Sequence, residues 1–359
     1  GGDVNIAGDV SDPNGDGLGI LIEDNSGGLV TFRGDVTLNT AGNDALTIQD
    51  NDPNFTVTFN GASQLDIDTT TGTGIVISET GRVNILGTGN TVDAGDAQGV
   101  DIDNARAVTI NNTTINVDAA GSNSAVSLVH GNSENSVIRF NSMTIGSSGD
   151  NAIDIQANST ATLDIVIDDG DIDVGDVKGI LLDTGSSADR VNFTLTNSEI
   201  AVGDDNAFQA MLDDTNTADV RFLLLDNNPI ANSSATAATV DIRVLSGLSL
   251  NATVGNGPND GTTPPTAPIG DRNRFVNAGS GDAFFAELND PNSGGLFNLD
   301  LRDNTAQSAG PDDFELENNG GTFNLVDKDD TIDGDNNVGN VDVNDPNAFG
   351  NIGAPLPQP

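Results

Sequence analysis

The chain has 359 residues, with 55 Asp and Glu against 12 Lys and Arg, and a formal net charge of −43. This charge excludes nucleic acid and anionic membrane surfaces as partners, because both are bound through basic residues, and it favours cations. The sequence contains no cysteine, so disulfides and thiolate metal sites are excluded, and no apolar run has the ~18 residues needed for membrane insertion.

A four-residue pattern recurs along the chain: a small residue, an apolar residue, any residue and an apolar residue. Its copies begin at Gly19, Ala45, Gly74, Gly99, Ala125, Ala152, Gly179 and Ala207. The spacings are 26, 29, 25, 26, 27, 27 and 28 residues. Only 35% of the residues are hydrophobic, which also fits a disordered chain, but disorder does not produce such regular spacing. The sequence therefore predicts stacked repeats.

Two more short strands follow the first in each period. The second begins at Val30, Val57, Val83, Val108 and Phe193, and the third at Val36, Leu65, Ile115, Ile172 and Ile200. Both alternate apolar and mostly polar residues, so one face of each strand meets a core. Antiparallel hairpins are the alternative, but three non-equivalent strands per period favour coiling. We predict an all-β fold, a single-stranded parallel β-helix with about three strands per ~27-residue coil.

Asparagine recurs in the turn after the second strand, at Asn60, Asn111, Asn141, Asn197 and Asn227. Asn tolerates the left-handed backbone conformation, and its amide can bond the same amide one coil away. This predicts an asparagine ladder. The turn is similar to the ladder-bearing turn of right-handed pectate-lyase-like helices, and that resemblance implies a right-handed coil, which spacing alone does not fix.

The chain divides into four predicted regions. Residues 1–255 form regular coils, and a Pro- and Gly-rich segment at 256–272 projects as a loop, since proline cannot join a strand ladder. That loop is either a tolerated insertion or a recognition element. Residues 273–345 form irregular coils, and 346–359 an extended Pro-rich tail. The amino end opens within a coil without a capping helix, which predicts either a piece of a longer array or copies that stack head to tail.

Three sequence features resemble giant bacterial cell-surface proteins with β-strand repeats, which are adhesin-like solenoids. They are Gly27-Gly28-Leu29-Val30-Thr31-Phe32-Arg33-Gly34, Asn319-Gly320-Gly321-Thr322-Phe323-Asn324-Leu325 and the closing Pro355-Leu356-Pro357. The resemblance implies export, a position on the bacterial cell surface or outside the cell, and an adhesive or scaffolding role. It does not imply a particular binding target, and a surface glycan or a host-cell ligand both fit.

One segment matches the calcium-loop pattern. Asp12, Asn14 and Asp16 would supply side-chain oxygens, Gly17 the sharp turn, and Glu23 a distal carboxylate. No helices flank the loop, however, and Glu23 already belongs to a repeat strand. The alternative is an Asp/Asn/Gly turn that matches by coincidence. Calcium is the only cofactor that the sequence suggests.

Acidic residues also precede several first strands, where stacking brings them towards one edge. They are Asp44, Asp96, Asp150, Asp176 and Asp205, with a further cluster at Asp327, Asp329, Asp330, Asp333 and Asp335. Such rows either bind cations or form a solvated edge that opposes aggregation.

Catalysis is the main alternative function, because β-helices host polysaccharide lyases and glycosidases. The chain has only Lys178 and Lys328 as lysines, no Trp and no Tyr, and its negative surface would repel polyuronates. The single histidine, His130, reads as a surface turn residue. We therefore predict a non-enzymatic structural or adhesive segment that self-associates or continues into a longer solenoid. A β-helix carbohydrate-active enzyme and a calcium-dependent carbohydrate-binding module remain as alternatives.

Overall fold

The computed structural model describes residues 2–13, 15, 17–118, 121–185, 188, 190–213, 219–245, 247–255, 273–290, 294–302, 304–310, 312–326, 341–344, 348–352, 356 and 359. Over these residues the chain forms three parallel sheets stacked into a β-solenoid of about 11 turns, with about 28 residues per coil. The predicted all-β parallel β-helix is confirmed. Within the same ranges, no helix is long and apolar enough to cross a membrane.

Each coil contributes strands to three sheets, which we name A, B and C in chain order. Sheet A contains Val4–Ile6, Gly28–Phe32, Phe55–Phe59, Arg82–Ile85, Ala107–Asn111, Ser136–Asn141, Thr162–Asp168, Arg190–Thr196, Asp219–Leu225, Ser249–Val254, Leu296–Leu301, Thr322–Val326 and Phe349–Ile352. Sheet B contains Val10–Asp12, Val36–Ala41, Leu65–Thr69, Asn90–Ala94, Thr113–Val117, Thr144–Ser147, Asp171–Asp173, Glu199–Ala201, Ile230–Asn232, Arg274–Asn277 and Thr305–Ser308. Sheet C contains Ile20–Glu23, Leu46–Gln49, Ile75–Ser78, Val100–Asp103, Val126–His130, Ile153–Ala157, Ile180–Thr184, Phe208–Leu212, Val240–Val244, Phe284–Leu288, Phe314–Asn318 and Val341–Val343.

The strands pair in parallel with their equivalents one coil away, so the hairpin alternative does not apply. In the first coil, Val4 pairs with Val30 and Val10 with Val36, which is the 26-residue offset read from the sequence. All eight copies of the small-apolar-x-apolar pattern lead into strands of sheet C. The right-handed coil stays a prediction.

The core is one column of apolar side chains that runs through the coils. Phenylalanines stack along it: the Phe32 and Phe59 ring centroids are 4.5 Å apart, and Phe193 lies 5.3 Å from Phe208 and 5.9 Å from Phe222. The small residue that begins each copy of the repeat pattern is required by close packing against neighbouring strands. A Cβ on Gly179, for example, would lie 2.7 Å from the Cγ2 of Ile200 in sheet B.

The corner between sheets A and B repeats a single left-handed residue in coil after coil. Its φ angle lies between 48° and 57° at Asn112, Ser142, Asp169, Asn197 and Asp226. Short polar side chains suit this conformation because they tolerate positive φ better than bulky ones. The recurrence gives the corner one geometry over these five consecutive coils.

The predicted asparagine ladder is confirmed in part at this corner: Asn111, Asn141 and Asn227 bond to other asparagines, whereas Asn197 donates to Asp168 Oδ1 and Asn60 Oδ1 accepts from the Gly61 N–H. The Asn227 amide donates to Asn273 Oδ1 at 3.0 Å, and Asn273 donates to Asn304 Oδ1 at 3.1 Å. All three side chains are buried. A second pair lies earlier in the chain, where Asn141 donates to Asn111 Oδ1 at 2.7 Å. These bonds satisfy buried amides that would otherwise be costly.

The carboxyl-terminal region continues the same sheets. Phe275 pairs with Ile230 in sheet B, so the coil resumes after 256–272, a segment whose predicted projecting loop lies outside the described residues. The predicted tail at 346–359 needs a correction at its start. Phe349–Ile352 adds a strand to sheet A, because Phe349 packs on Phe323 at a ring-centroid distance of 4.7 Å.

Replacing Phe193 by Ala should lower the free energy of unfolding by about 3–5 kcal/mol, because a large buried side chain is lost and a cavity remains. Urea unfolding at fixed salt measures the change. The control is Thr194→Ala, on the outward side of the same strand, which should stay within about 0.5 kcal/mol of the parent. Equal losses in both variants would contradict the inward position of Phe193.

Candidate functional site

The predicted calcium loop is only partly covered by the structure. Asp12 ends the sheet B strand Val10–Asp12, and its carboxylate lies so close to Gly17 that a Cβ there would force the Asp12 side chain to move. Glu23 ends the sheet C strand Ile20–Glu23, where its Oε2 accepts a 3.3 Å hydrogen bond from the Gln49 amide. Asn14 and Asp16 lie outside the described residues. The structure thus brings Asp12 to the Gly17 turn, while calcium binding stays a prediction.

The row of acidic residues before sheet C makes contacts between coils. Asp44 Oδ1 accepts a hydrogen bond from the Thr73 backbone N–H at 2.8 Å, and Asp205 pairs with Lys178 Nζ at 3.3 Å. At these positions the carboxylates cap groups of an adjacent coil. Among the described residues, no three His, Cys, Asp or Glu side chains are grouped so that they could hold a metal ion. The Asp327–Asp335 cluster lies outside those residues.

Carboxylates with raised pKa values lie on or beside the outward face of sheet C, which the sequence did not reveal. Burial is the largest cause of the raised pKa in each case, and neighbouring carboxylates add to it in all of them. The members of this group are Asp101, Asp103, Asp154, Asp183, Asp282, Asp312 and Glu315. The group could have been found from the sequence, because several outward positions of the sheet C strands are acidic.

The strongest case in this group is Glu315. Burial, together with the hydrogen bond and the charge of Asp282, raises the pKa of Glu315 to about 7. Glu317 and Asp312 add repulsion, and Asp342 is the register partner of Glu315 in the next coil. Glu315 and Asp282 therefore share a proton near neutral pH, since two ionised carboxylates in hydrogen-bond contact repel strongly.

His130 was predicted to be a surface turn residue, and this prediction is wrong. It is the fifth residue of the sheet C strand Val126–His130, and only 2% of it is exposed. Val126, Leu128 and His130 alternate with outward residues, so the strand's two-residue period turns the imidazole inward. Burial lowers the His130 pKa.

The hydrogen bonds around His130 define its tautomer. The Ser136 hydroxyl donates to Ala105 O at 2.6 Å and lies 3.2 Å from His130 Nδ1. Because that hydroxyl proton is already used, Nδ1 must carry the proton that joins His130 to Ser136. Within the described chain, Nε2 has no hydrogen-bond partner. The arrangement is a neutral, structural histidine beneath the corner between sheets C and A.

Comparison of the sequence with protein-family models, with curated proteins and with solved structures found no match.

Glu315→Gln should abolish a pH-dependent part of the stability. The pKa of Glu315 is higher in the folded chain than in the unfolded chain, so protonation of Glu315 favours the fold. This stabilisation is fully present below the unfolded-state pKa near 4.5 and is lost as the pH rises through the folded-state pKa of about 7. Gln mimics the protonated acid, so the variant should melt at a higher temperature than the parent at about pH 8 and at a similar temperature at about pH 4.5.

Thermal unfolding at several pH values measures this difference in melting temperature between the variant and the parent. His130 is present in both proteins, so its contribution to the pH dependence cancels. The control Glu199→Gln removes one charge from sheet B, away from the contact between Glu315 and Asp282. Parallel melting curves for the parent and Glu315→Gln across the range would contradict the shared proton.

Proposed function

We propose that this chain is a non-catalytic, extracellular structural and adhesive β-solenoid, which serves as a rigid segment of a bacterial surface fibre. The observation that carries the proposal is the single core that joins successive coils. Each coil is bonded to the next through three parallel ladders, so a bend at one coil would break backbone hydrogen bonds in all three sheets. Length and rigidity follow from this construction.

The outer surface supports a structural role better than glycoside hydrolysis. Glu315 and Asp282 are the carboxyl pair whose pKa values and contact best fit acid–base chemistry. The two side chains contact one another, and each changes the pKa of the other. Glycosidases keep their two carboxyl groups about 5–5.5 Å or 6.5–9.5 Å apart, so that the scissile bond fits between them. The pair is too close for either mechanism.

The first described coil supports association at the amino-terminal end of the column. Its large apolar side chains are exposed, with Val4 at 51%, Leu18 at 83% and Leu21 at 54%. Ile6 and Ile20, which point towards the core, are only partly buried. We propose that another coil covers this end. In a longer chain that coil is the preceding one, and in a preparation of these 359 residues it comes from a second copy.

Backbone geometry identifies the groups that would pair at this end. Ile20 N–H donates to Ala45 O in the second coil at 2.8 Å. Successive residues of a strand direct their backbone groups to opposite edges, so the Leu21 N–H and C=O face the open edge of the column. An added coil would bond to these groups, whereas the surface charge of −43 opposes side-by-side contact between copies.

Leu21→Pro should abolish end-to-end association, because proline removes the N–H that faces the open edge without removing a bond within the column. Sedimentation over a range of protein concentrations at about 0.15 M salt measures the association, with self-repulsion screened. The control Leu21→Ile keeps both the N–H and an apolar side chain of the same size, and it should associate like the parent. A parent that stays monomeric at every concentration, or a proline variant that associates equally well, would contradict the proposal.

A further inference from the structure

The sequence contains Asn-Gly pairs at positions 14–15, 60–61, 256–257 and 319–320. An asparagine followed by glycine can lose ammonia without an enzyme, because glycine has no side chain to hinder attack by its backbone nitrogen on the asparagine carboxamide. Both residues of the pair are described at Asn60-Gly61 and at Asn319-Gly320. These two pairs differ in the contacts that bear on the reaction.

The backbone at Asn60-Gly61 is arranged for this attack. Both residues are exposed in the turn after the sheet A strand Phe55–Phe59, so water reaches them. The Gly61 N–H donates to Asn60 Oδ1 at 2.8 Å, which holds the attacking nitrogen against the carboxamide that it would attack. Contact between the reacting groups removes much of the entropic cost of a ring closure.

Ser63 stabilises the reactive form of this nitrogen. Attack requires the Gly61 nitrogen to lose its proton, and the negative charge of the resulting amide anion is shared with the Asn60 carbonyl oxygen. That oxygen accepts two hydrogen bonds from Ser63, one from its N–H at 2.8 Å and one from its Oγ at 2.6 Å. Ser63 is only 2% exposed, so both donors are held in place. Hydrogen bonds to an atom on which charge develops lower the barrier of a reaction.

The contacts of the Asn319-Gly320 pair do not favour the reaction. The Gly320 N–H donates to Asn318 Oδ1 at 3.2 Å, so it is directed at a different side chain. Asn319 Nδ2 donates to Glu287 Oε1 and to Glu317 Oε2, both at 3.1 Å. These bonds engage the Asn319 carboxamide with other partners, and the two carboxylates oppose a further negative charge beside them.

We propose that Asn60 is a site of spontaneous deamidation, a modification that the fold itself promotes. Hydroxide from the solvent takes the Gly61 N–H proton, the nitrogen forms a bond to Asn60 Cγ, and the Cγ–Nδ2 bond breaks with release of ammonia, which takes a proton from water. Water then opens the succinimide ring at either carbonyl, which gives aspartate or isoaspartate at position 60. The inference does not depend on the proposed adhesive role.

The isoaspartyl product alters a turn of the column. Isoaspartate adds a carbon atom to the main chain between the strands Phe55–Phe59 and Leu65–Thr69, both of which are fixed by ladders to the preceding coil. The turn between them must therefore change its conformation. Each converted copy also gains a negative charge at this position.

Ageing of the full chain at mildly alkaline pH, followed by peptide mapping with mass spectrometry, tests the proposal. Asn60 should convert about tenfold faster than Asn319, and Ser63→Ala should slow the conversion of Asn60 about tenfold, because one hydrogen bond to the developing charge is lost. In guanidinium chloride, which removes the fold, Asn60 and Asn319 should convert at similar rates.

Ser198→Ala is the matched control. Ser198 is buried in the same corner of a later coil, and its hydroxyl donates to Thr196 O at 2.8 Å. This variant should leave the rate at Asn60 unchanged, and thermal unfolding shows that each variant is folded. No conversion at Asn60, equal rates at Asn60 and Asn319 in the folded chain, or a rate in Ser63→Ala that equals or exceeds that of the parent would overturn the inference.

Discussion

Each coil depends on its neighbours, because three short strands can neither satisfy their backbone groups nor bury their apolar side chains alone. Stacking supplies both at once: the ladders of sheets A, B and C join coil to coil, and the inward side chains meet as one core. The remaining features follow from this constraint. Small residues before most strands of sheet C let adjacent coils approach, and a left-handed residue recurs at the same corner in five consecutive coils.

Stacking also determines the electrostatics. Side chains in equivalent positions of adjacent coils lie about 4.8 Å apart, so an acidic residue that recurs at one position meets its own charge. The chain uses its few cations against this repulsion, as in the Arg243–Asp241 pair at 2.8 Å and the buried Arg302–Asp300 pair at 2.6 Å. Where no cation is available, burial and repulsion raise carboxyl pKa values instead, most strongly at Glu315.

Much of the fold could be predicted because the repeat is written into the sequence. The sheet C strands, the 26-residue offset at the amino end and the inward phenylalanines all follow from periodicity. The position of His130 was predicted wrongly because the residue was considered apart from its strand. It lies two residues after Leu128 and four after Val126, so it points to the same inward face as they do. Phe349–Ile352 was missed because Gly and Asn interrupt the pattern in a Pro-rich region.

The candidate sites were harder to predict, because they combine residues from different coils. The contact between Glu315 and Asp282 depends on which residues of adjacent coils the register brings side by side. Sequence spacing gives the period but not the lengths of the individual turns. The proposed rod therefore rests on the stacking register.

Engineered disulfides test that register most directly, and the chain has no native cysteine to interfere. Asp101 pairs with Ser127, and Ser127 with Asp154, in adjacent coils of sheet C. Cysteine pairs at 101 and 127, and at 127 and 154, should oxidise to intramolecular disulfides, because their Cα atoms are about 4.8 Å apart. A pair at 101 and 154, two coils or about 10 Å apart, should stay reduced. Ready oxidation of the 101–154 pair, with none in the other two, would contradict the coiled stack.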